Sequence, residues 1–195
     1  MFDSISTESN LAPRAQTGRD TQITVFPNRR RFEAAASRVL RHQGGSEDCA
    51  VLHIALRGSS GTGSVSLRML NLTGNALRAG MHSGCVAYLG DAEFAVLLQD
   101  TDAREAAAYA RTMASVISNF RVLWEGEMLT VSASIGGVMA EGRHDGAALL
   151  HQAVTAGDLA QHKPTCKVHM EHAHDAYLHP QAMDLTDTLA QLSFA

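Results

Sequence analysis

The stretch that decides the fold runs from Cys85 to Gln99 and reads C-V-A-Y-L-G-D-A-E-F-A-V-L-L-Q. Two apolar runs of strand-like length flank the short segment Gly90-Asp91-Ala92. Glycine and aspartate adopt the backbone angles of tight turns readily, so a Gly-Asp pair between two such runs is typical of a β-hairpin. We therefore predict two antiparallel strands that meet at this turn.

The turn resembles the signature of the GGDEF, or diguanylate cyclase, family. In that family a tip that reads Gly-Gly-Asp/Glu-Glu-Phe holds a catalytic metal and the guanine of the substrate. The corresponding residues here are Gly90, Asp91, Ala92, Glu93 and Phe94. The resemblance places Ala92, whose side chain has no oxygen, where the family keeps a metal-binding acid.

Three further segments carry the same resemblance. The segment Thr21–Phe32 is similar to the family's opening motif D-x-L-T-G-L-x-N-R-x-x-F, and L-T-V-S-A-S-I-G-G, which starts at Leu129, is close to the family's wording. The segment from Leu149 to His162 is similar to the family's A-D-x-A-L-Y-x-A-K helix. The resemblance implies an α+β fold, the palm-like fold of nucleotidyl cyclases, with a central, mostly antiparallel sheet flanked by helices.

Hydrophobic periodicity predicts the same kinds of element independently. The apolar run Cys49–Leu56 is short enough for a central strand, and strict alternation from 128 to 138 predicts a half-buried antiparallel strand. Asn28 is a plausible N-cap of a first helix, and Asp102 with Glu105 predicts a capping box for a third. The expected apolar helix faces are Phe32, Ala36, Val39 and Leu40; then Val65, Met69, Leu72 and Ala76; and finally Ala106, Ala110, Met113 and Ile117.

The central strand lacks the acids that metal chemistry needs. In the family this strand is similar to F-I-D-L-D-x-F, and its first aspartate is a metal ligand. The corresponding residues here are His53, Ile54, Ala55, Leu56 and Arg57. Because Mg²⁺ needs oxygen ligands, usually carboxylates, the resemblance implies a vacated metal site at Ala55, Arg57 and Ala92. The charge of Arg57 further repels a cation, so we expect no metal, no cofactor and no catalytic residue.

Other nucleotide contacts of the family also lack a counterpart. The resemblance aligns the phosphate-binding lysine with Gln161 and the arginine that follows it with Thr165. Some members bind cyclic di-GMP as an inhibitor through an R-x-x-D pair, whose places hold Met81 and Gly84 here. The resemblance therefore implies a pseudoenzyme.

We expect a catalytically inactive, regulatory GGDEF-like module that acts by binding another protein, such as a component of bacterial cyclic di-GMP signalling. The candidate partner surface is Arg57, Asp91 and Glu93, with Arg57 paired to one of the two carboxylates. Three alternatives stay open. They are a sensor that binds GTP or cyclic di-GMP without turnover, a weakly active cyclase, and a domain kept only for folding or for forming a homodimer.

Composition sets the outer bounds. The 195 residues, 45% of them hydrophobic, fit one domain with an ordinary core. A net charge of -4 gives no electrostatic reason to expect nucleic acid as a partner. No window approaches the roughly 20 apolar residues of a membrane span, and no signal pattern opens the chain, so we expect a cytoplasmic protein.

The ends of the chain differ from its middle. We predict a flexible N-terminal tail over 1–20, the GGDEF-like domain over 21–168 and a His-rich C-terminal extension over 169–195. The extension contains His169, His172, His174 and His179. Imidazoles are good metal ligands, but this spacing matches no established site, so we expect no tight metal binding there. Leucines at helical spacing over 183–194 predict a segment that docks on the domain or on a partner.

The chain has three cysteines, Cys49, Cys85 and Cys166. An odd number without a C-x-x-C pair argues against a disulfide framework and against a zinc knuckle. We expect all three to be small buried hydrophobic residues.

Overall fold

The computed structural model describes residues 26–42, 48–59, 65–124, 126–140, 145–162 and 167–171. The elements in chain order are α1 (Arg29–His42), β1 (Cys49–Gly58), α2 (Leu67–Ala79), β2 (Gly84–Gly90), β3 (Glu93–Gln99), α3 (Ala103–Ser118), β4 (Arg121–Trp124), β5 (Glu127–Met139), α4 (Gly146–Gln161) and β6 (Val168–Glu171). The predictions for the tail over 1–20, for Thr21 to residue 25, for Thr165, for Cys166 and for the chain after 171 lie outside the described residues. No helix in the described ranges is long and apolar enough to cross a membrane.

One sheet organises the domain, with strand order β2-β3-β1-β5-β4 and with β6 beside β5. All neighbouring strands pair antiparallel except β5 and β6, which are parallel. The predicted hairpin is confirmed, because β2 and β3 pair from Gly84 with Leu98 to Gly90 with Glu93. The predicted α+β fold, with a central and mostly antiparallel sheet flanked by helices, is confirmed as well.

The helices cover the sheet in two layers because β1 is apolar on both sides. Val51 packs with residues of α1 and α4, whereas Leu52 and Ile54 pack with residues of α2 and α3. Successive side chains of a strand point to opposite faces, so a continuous apolar run needs cover on both. This arrangement places β1 in the middle of the core, with its C-terminal end reaching the hairpin turn.

Both predicted helix caps are confirmed. The Asn28 side-chain oxygen accepts a hydrogen bond from the Arg31 N–H at 3.1 Å. Asp102 accepts from the Glu105 N–H at 2.7 Å, and the Glu105 carboxylate accepts from the Asp102 N–H at 3.3 Å. This reciprocal pair is a capping box, which satisfies N–H groups that have no partner inside the helix. The predicted apolar face of α3 is buried throughout.

The predicted face of α2 is wrong in part. Leu72 is 41% exposed, and the buried face instead includes Thr73 and Gly74. Because Gly74 has no side chain, the rings of Phe26 and Phe94 fill the space where its Cβ would lie. The face with Gly74 therefore packs against the two rings, and Leu72 lies outside the buried face.

Strand β1 is longer than predicted. It continues past Leu56 because Arg57 pairs with Ser132 and Gly58 pairs with Val131 of β5. The half-buried alternation predicted for β5 is confirmed only up to Ala133, with Val131 packed against the α2 and α3 side. From Ala133 onward both faces of the strand are buried, and Ser134 is only 7% exposed, because helices cover both sides of the sheet there. The length of β1 is thus set by its partner strand.

The described cysteines, Cys49 and Cys85, are not joined in a disulfide. Cys49 is buried as predicted, whereas Cys85 is only partly buried. Burial still raises the pKa of the Cys85 thiol, so this side chain stays protonated at neutral pH. Neither residue belongs to a metal-binding group among the described residues.

Candidate functional site

The hairpin turn has an unusual backbone. Its φ angles are positive at Gly90 (102°), Asp91 (48°) and Ala92 (63°). Asp91 and Ala92 connect the paired residues Gly90 and Glu93, and positive φ at both central residues is typical of a type I′ turn. Asparagine, aspartate and glycine tolerate this region, but alanine does so at a steric cost.

We predict that Ala92→Gly stabilises the protein by about 0.5–1 kcal/mol. The substitution removes the clash between Cβ and backbone at positive φ, which outweighs the greater freedom of glycine in the unfolded chain. Urea unfolding measures the free energy. The control variant Ala107→Gly, inside α3, should instead lose about 1 kcal/mol. Equal losses in both variants would contradict the turn geometry.

The turn is attached to the end of β1. The Leu56 N–H donates a hydrogen bond to the Ala92 carbonyl oxygen at 3.1 Å. The neighbouring residue Ala55 pairs with Glu93 of β3 on one side and with Ser134 of β5 on the other. The fold therefore brings together the two alanines that the sequence places at the vacated metal site.

A buried histidine, His53, lies next to the pair Ala55 and Glu93. The His53 side chain is 1% exposed, and its Nε2 lies 3.3 Å from a carboxylate oxygen of Glu93, whose side chain is 35% exposed. Neither ring nitrogen has a hydrogen-bond partner within the described ranges, so the contact with Glu93 is a close approach rather than a directed hydrogen bond. The other nitrogen, Nδ1, faces the backbone of Gly157 in α4.

Sequence reasoning did not select His53 as a site residue. A signal was present, because His53 is the one polar side chain in the apolar run Cys49–Leu56. A polar residue inside a central strand has to find a partner when it is buried. The carboxylate that approaches His53 belongs to Glu93, which is distant in the sequence. Its proximity follows only from the register between β1 and β3.

The predicted ion pair between Arg57 and the turn is wrong. The Arg57 guanidinium donates instead to the Gln161 side-chain oxygen at 2.5 Å, and no ion pair joins it to Asp91 or Glu93 among the described residues. Arg57 lies two residues beyond Ala55, next to the C-terminal end of α4. Glu93 meanwhile turns toward His53.

A basic cavity of about 330 Å³ opens beside Arg57. Its wall includes Arg57, Arg121 and Lys167, together with hydroxyl groups of Ser59, Ser118, Thr130 and Ser132. Arg121 also donates to the carbonyl oxygens of Ser118 and Phe120, both at 2.8 Å. This cavity could not be predicted from the sequence, because its charged residues come from two separate strands and from the segment before β6.

Comparison with known families decides the classification. Residues 65–166, more than half of the chain, match the family model described as "Diguanylate cyclase, GGDEF domain". The chain belongs to the GGDEF family. The resemblance inferred from the hairpin is thereby confirmed.

Solved GGDEF structures share the fold. The GGDEF domain of TpbB, also called YfiN, from Pseudomonas aeruginosa has a TM-score of 0.63 and 24% identity, over 78% of this chain and 92% of that one. The GGDEF domain of DgcB from Caulobacter crescentus, solved with c-di-GMP, has a TM-score of 0.60 and 15% identity, over 73% and 90%. SiaD from Pseudomonas aeruginosa, solved with its activator SiaC, has a TM-score of 0.58 and 20% identity, over 76% and 59%. No curated protein was found to match the chain.

The residues of this GGDEF domain do not fit the metal that the family implies. The side chains of Ala55 and Ala92 have no oxygen, and the Ala92 carbonyl oxygen already accepts a hydrogen bond from the Leu56 N–H. The neighbouring side-chain oxygens belong to Asp91, to Glu93, which contacts His53, and to Ser134. Magnesium in proteins is held by carboxylates, waters and substrate phosphates in octahedral geometry. No group of three His, Cys, Asp or Glu side chains in the described part of the chain is placed to hold a metal ion. The histidines beyond 171 lie outside that part.

Proposed function

We propose that this chain is a non-catalytic GGDEF module that takes part in cyclic di-GMP signalling by binding another protein. One observation carries the proposal: Ala55 and Ala92 come together where β1 meets the hairpin turn, and neither has a side chain with an oxygen ligand. A cyclase of this family needs divalent metal there to neutralise phosphate charge and to activate the attacking hydroxyl. The proposal follows from the identity of the side chains at this junction.

The remaining polar side chains of the site support the same proposal. Glu93 faces His53, and Arg57 bonds to Gln161, the residue that the resemblance aligns with the phosphate-binding lysine. The first contact links β1 to β3, and the second links β1 to α4. Such contacts hold the hairpin and α4 in place without a ligand.

The surface we propose for the partner consists of Arg57, Asp91 and Glu93. Arg57 and Asp91 are exposed, and Glu93 is about one-third exposed at the edge of the turn. A surface that presents both signs of charge fits a partner with the complementary pattern, since charge complementarity mainly selects the partner and speeds association. The solved complex of SiaD with its activator SiaC is a precedent for protein binding by a protein with this fold.

We expect the double variant Arg57→Ala, Glu93→Ala to weaken partner binding about tenfold or more, because charged anchors at an interface contribute strongly. The wild-type chain, immobilised and exposed to extract from its host, identifies the partner. Affinity is then measured with the purified partner. The matched control is Arg111→Ala, Asp158→Ala, which removes one exposed arginine and one exposed acid elsewhere. Equal binding by all three forms would contradict the surface assignment, and the absence of any partner would contradict the function.

A second candidate function is a nucleotide sensor that binds without turnover. The basic cavity favours it, because Arg57, Arg121 and Lys167 face one space and can neutralise phosphate charge without metal. This candidate predicts GTP binding that persists in a metal chelator and weakens in Lys167→Ala. If the chain instead acts only by binding a partner protein through Arg57, Asp91 and Glu93, neither effect is expected.

A further inference from the structure

A second and larger cavity lies at the opposite end of the hairpin from the turn. It has a volume of about 430 Å³ and is enclosed by the end of α2, the end of β3 and the first half of α3. The described residues of its wall include Met81, Leu98, Asp100, Glu105, Tyr109 and Met113. None of them belongs to the site at Ala55 and Ala92, so this cavity is a separate candidate binding site.

The wall of the cavity combines apolar and polar side chains. Met81, Leu98, Tyr109 and Met113 pack against the main core cluster or belong to it, and all four contribute to the wall. Thioether groups and an aromatic ring are adaptable contacts for apolar or aromatic ligands. Concave sites with apolar walls and a few polar groups are typical of small-molecule binding.

The wall contains two carboxylate side chains and one imidazole, that of His82. Asp100 and Glu105 line the cavity, and no arginine or lysine is among its described lining residues. The capping box uses one oxygen of Glu105, which leaves the other available. Asp100 is exposed, and it has no hydrogen-bond or ion-pair partner within the described ranges.

Tyr109 contributes its ring rather than a charge. Its hydroxyl donates to the Leu77 carbonyl oxygen at 2.6 Å, and burial raises the pKa of this phenol above its ordinary value. The phenol therefore stays neutral, and its ring forms a fixed wall beside Met113. An aromatic face together with nearby carboxylates favours a cation over an anion.

We propose that this cavity binds a small organic cation, an amine carried on a compact apolar or aromatic body. The body occupies the space between Met81, Tyr109 and Met113, and the amine lies at the edge near Asp100 and Glu105. The same arrangement disfavours phosphate-bearing ligands. This proposal is independent of the partner-binding function, because the cavity includes none of the residues Arg57, Asp91 and Glu93.

Phenethylamine is a suitable probe, with 2-phenylethanol and phenylacetate as neutral and anionic counterparts of similar size. We expect NMR titration of the full chain to shift the amides of Leu98, Tyr109 and Met113 on addition of phenethylamine. The dissociation constant for 2-phenylethanol should be about tenfold higher, because it lacks the charge. Phenylacetate should cause no shift at these amides. Equal binding of all three probes, or preference for the anion, would overturn the proposal.

The variant Asp100→Asn, Glu105→Gln tests the acidic edge with little risk to the fold. Asparagine tolerates the positive φ of 52° at Asp100, and glutamine retains the capping box. We expect phenethylamine binding to weaken about tenfold, while the control Asp158→Asn, on the exposed face of α4, keeps it unchanged. Ala108→Trp should abolish binding by filling the cavity. Undiminished binding in either cavity variant would refute the site, and so would an equal loss in Asp158→Asn.

Discussion

Purified protein incubated with GTP and Mg²⁺ or Mn²⁺ is expected to form no cyclic di-GMP that mass spectrometry can detect. The reaction joins two GTP molecules by attack of a ribose hydroxyl on an α-phosphate, and it depends on divalent metal to activate the nucleophile and to spread the phosphate charge. Where the family has acids, on both sides of the β1–hairpin junction, Ala55 and Ala92 have side chains without an oxygen ligand. This prediction has the largest expected effect, since it amounts to complete absence of turnover.

An active GGDEF cyclase assayed in parallel provides the positive control, and circular dichroism before and after the incubation excludes unfolding as the cause. A trace of product from a contaminating cyclase is distinguished with Glu93→Ala. If cyclic di-GMP forms in proportion to the amount of wild-type protein and is absent with the Glu93→Ala variant, the proposal that the domain is non-catalytic is wrong.

The largest expected effect on stability is that of Phe94→Ala, about 3–5 kcal/mol. Phe94 is fully buried at the start of β3. Its ring makes an edge-on contact with Phe26 at 6.0 Å between centroids and a tilted contact with Tyr88 at 5.2 Å. Truncation leaves a cavity under the hairpin and removes both ring contacts. Because a domain is stable by only about 5–15 kcal/mol in total, this loss brings it close to unfolding.

Chemical unfolding followed by circular dichroism measures this loss. The control is Leu123→Ala, since Leu123 is 63% exposed and its truncation should change the free energy of unfolding by about 0.5 kcal/mol or less. A loss at Phe94 no larger than that at Leu123 would show that the ring does not hold the hairpin against α2.

Much of the fold was predictable because local signals and the global arrangement agree. Alternation in β5, the capping box at Asp102 and the Gly-Asp turn each point to the element that forms. The face of α2 was not predictable in this way. A hydrophobic pattern ranks Leu72 as buried, but the space above Gly74, which two aromatic rings of other elements fill, decides how the helix rotates.

Within the site, sequence reasoning was successful only for the two alanines that stand where the family has acidic residues. The resemblance placed Ala55 and Ala92 together, and the register of β1 with β3 agrees. The partners of the remaining polar groups depend on where the end of α4 lies, which no local pattern specifies. Arg57 therefore bonds to Gln161 rather than to the turn, and His53 emerged as the neighbour of Glu93 only in the folded chain.

The most direct test of the central claim is calorimetric titration of the full chain with GTP in the presence and in the absence of Mg²⁺. If the junction of β1 and the hairpin cannot hold a metal–nucleotide complex, Mg²⁺ should not strengthen GTP binding, and the two titrations should coincide. A dissociation constant that falls about tenfold or more on addition of Mg²⁺ would contradict the account, because it would require metal ligands that Ala55 and Ala92 do not provide.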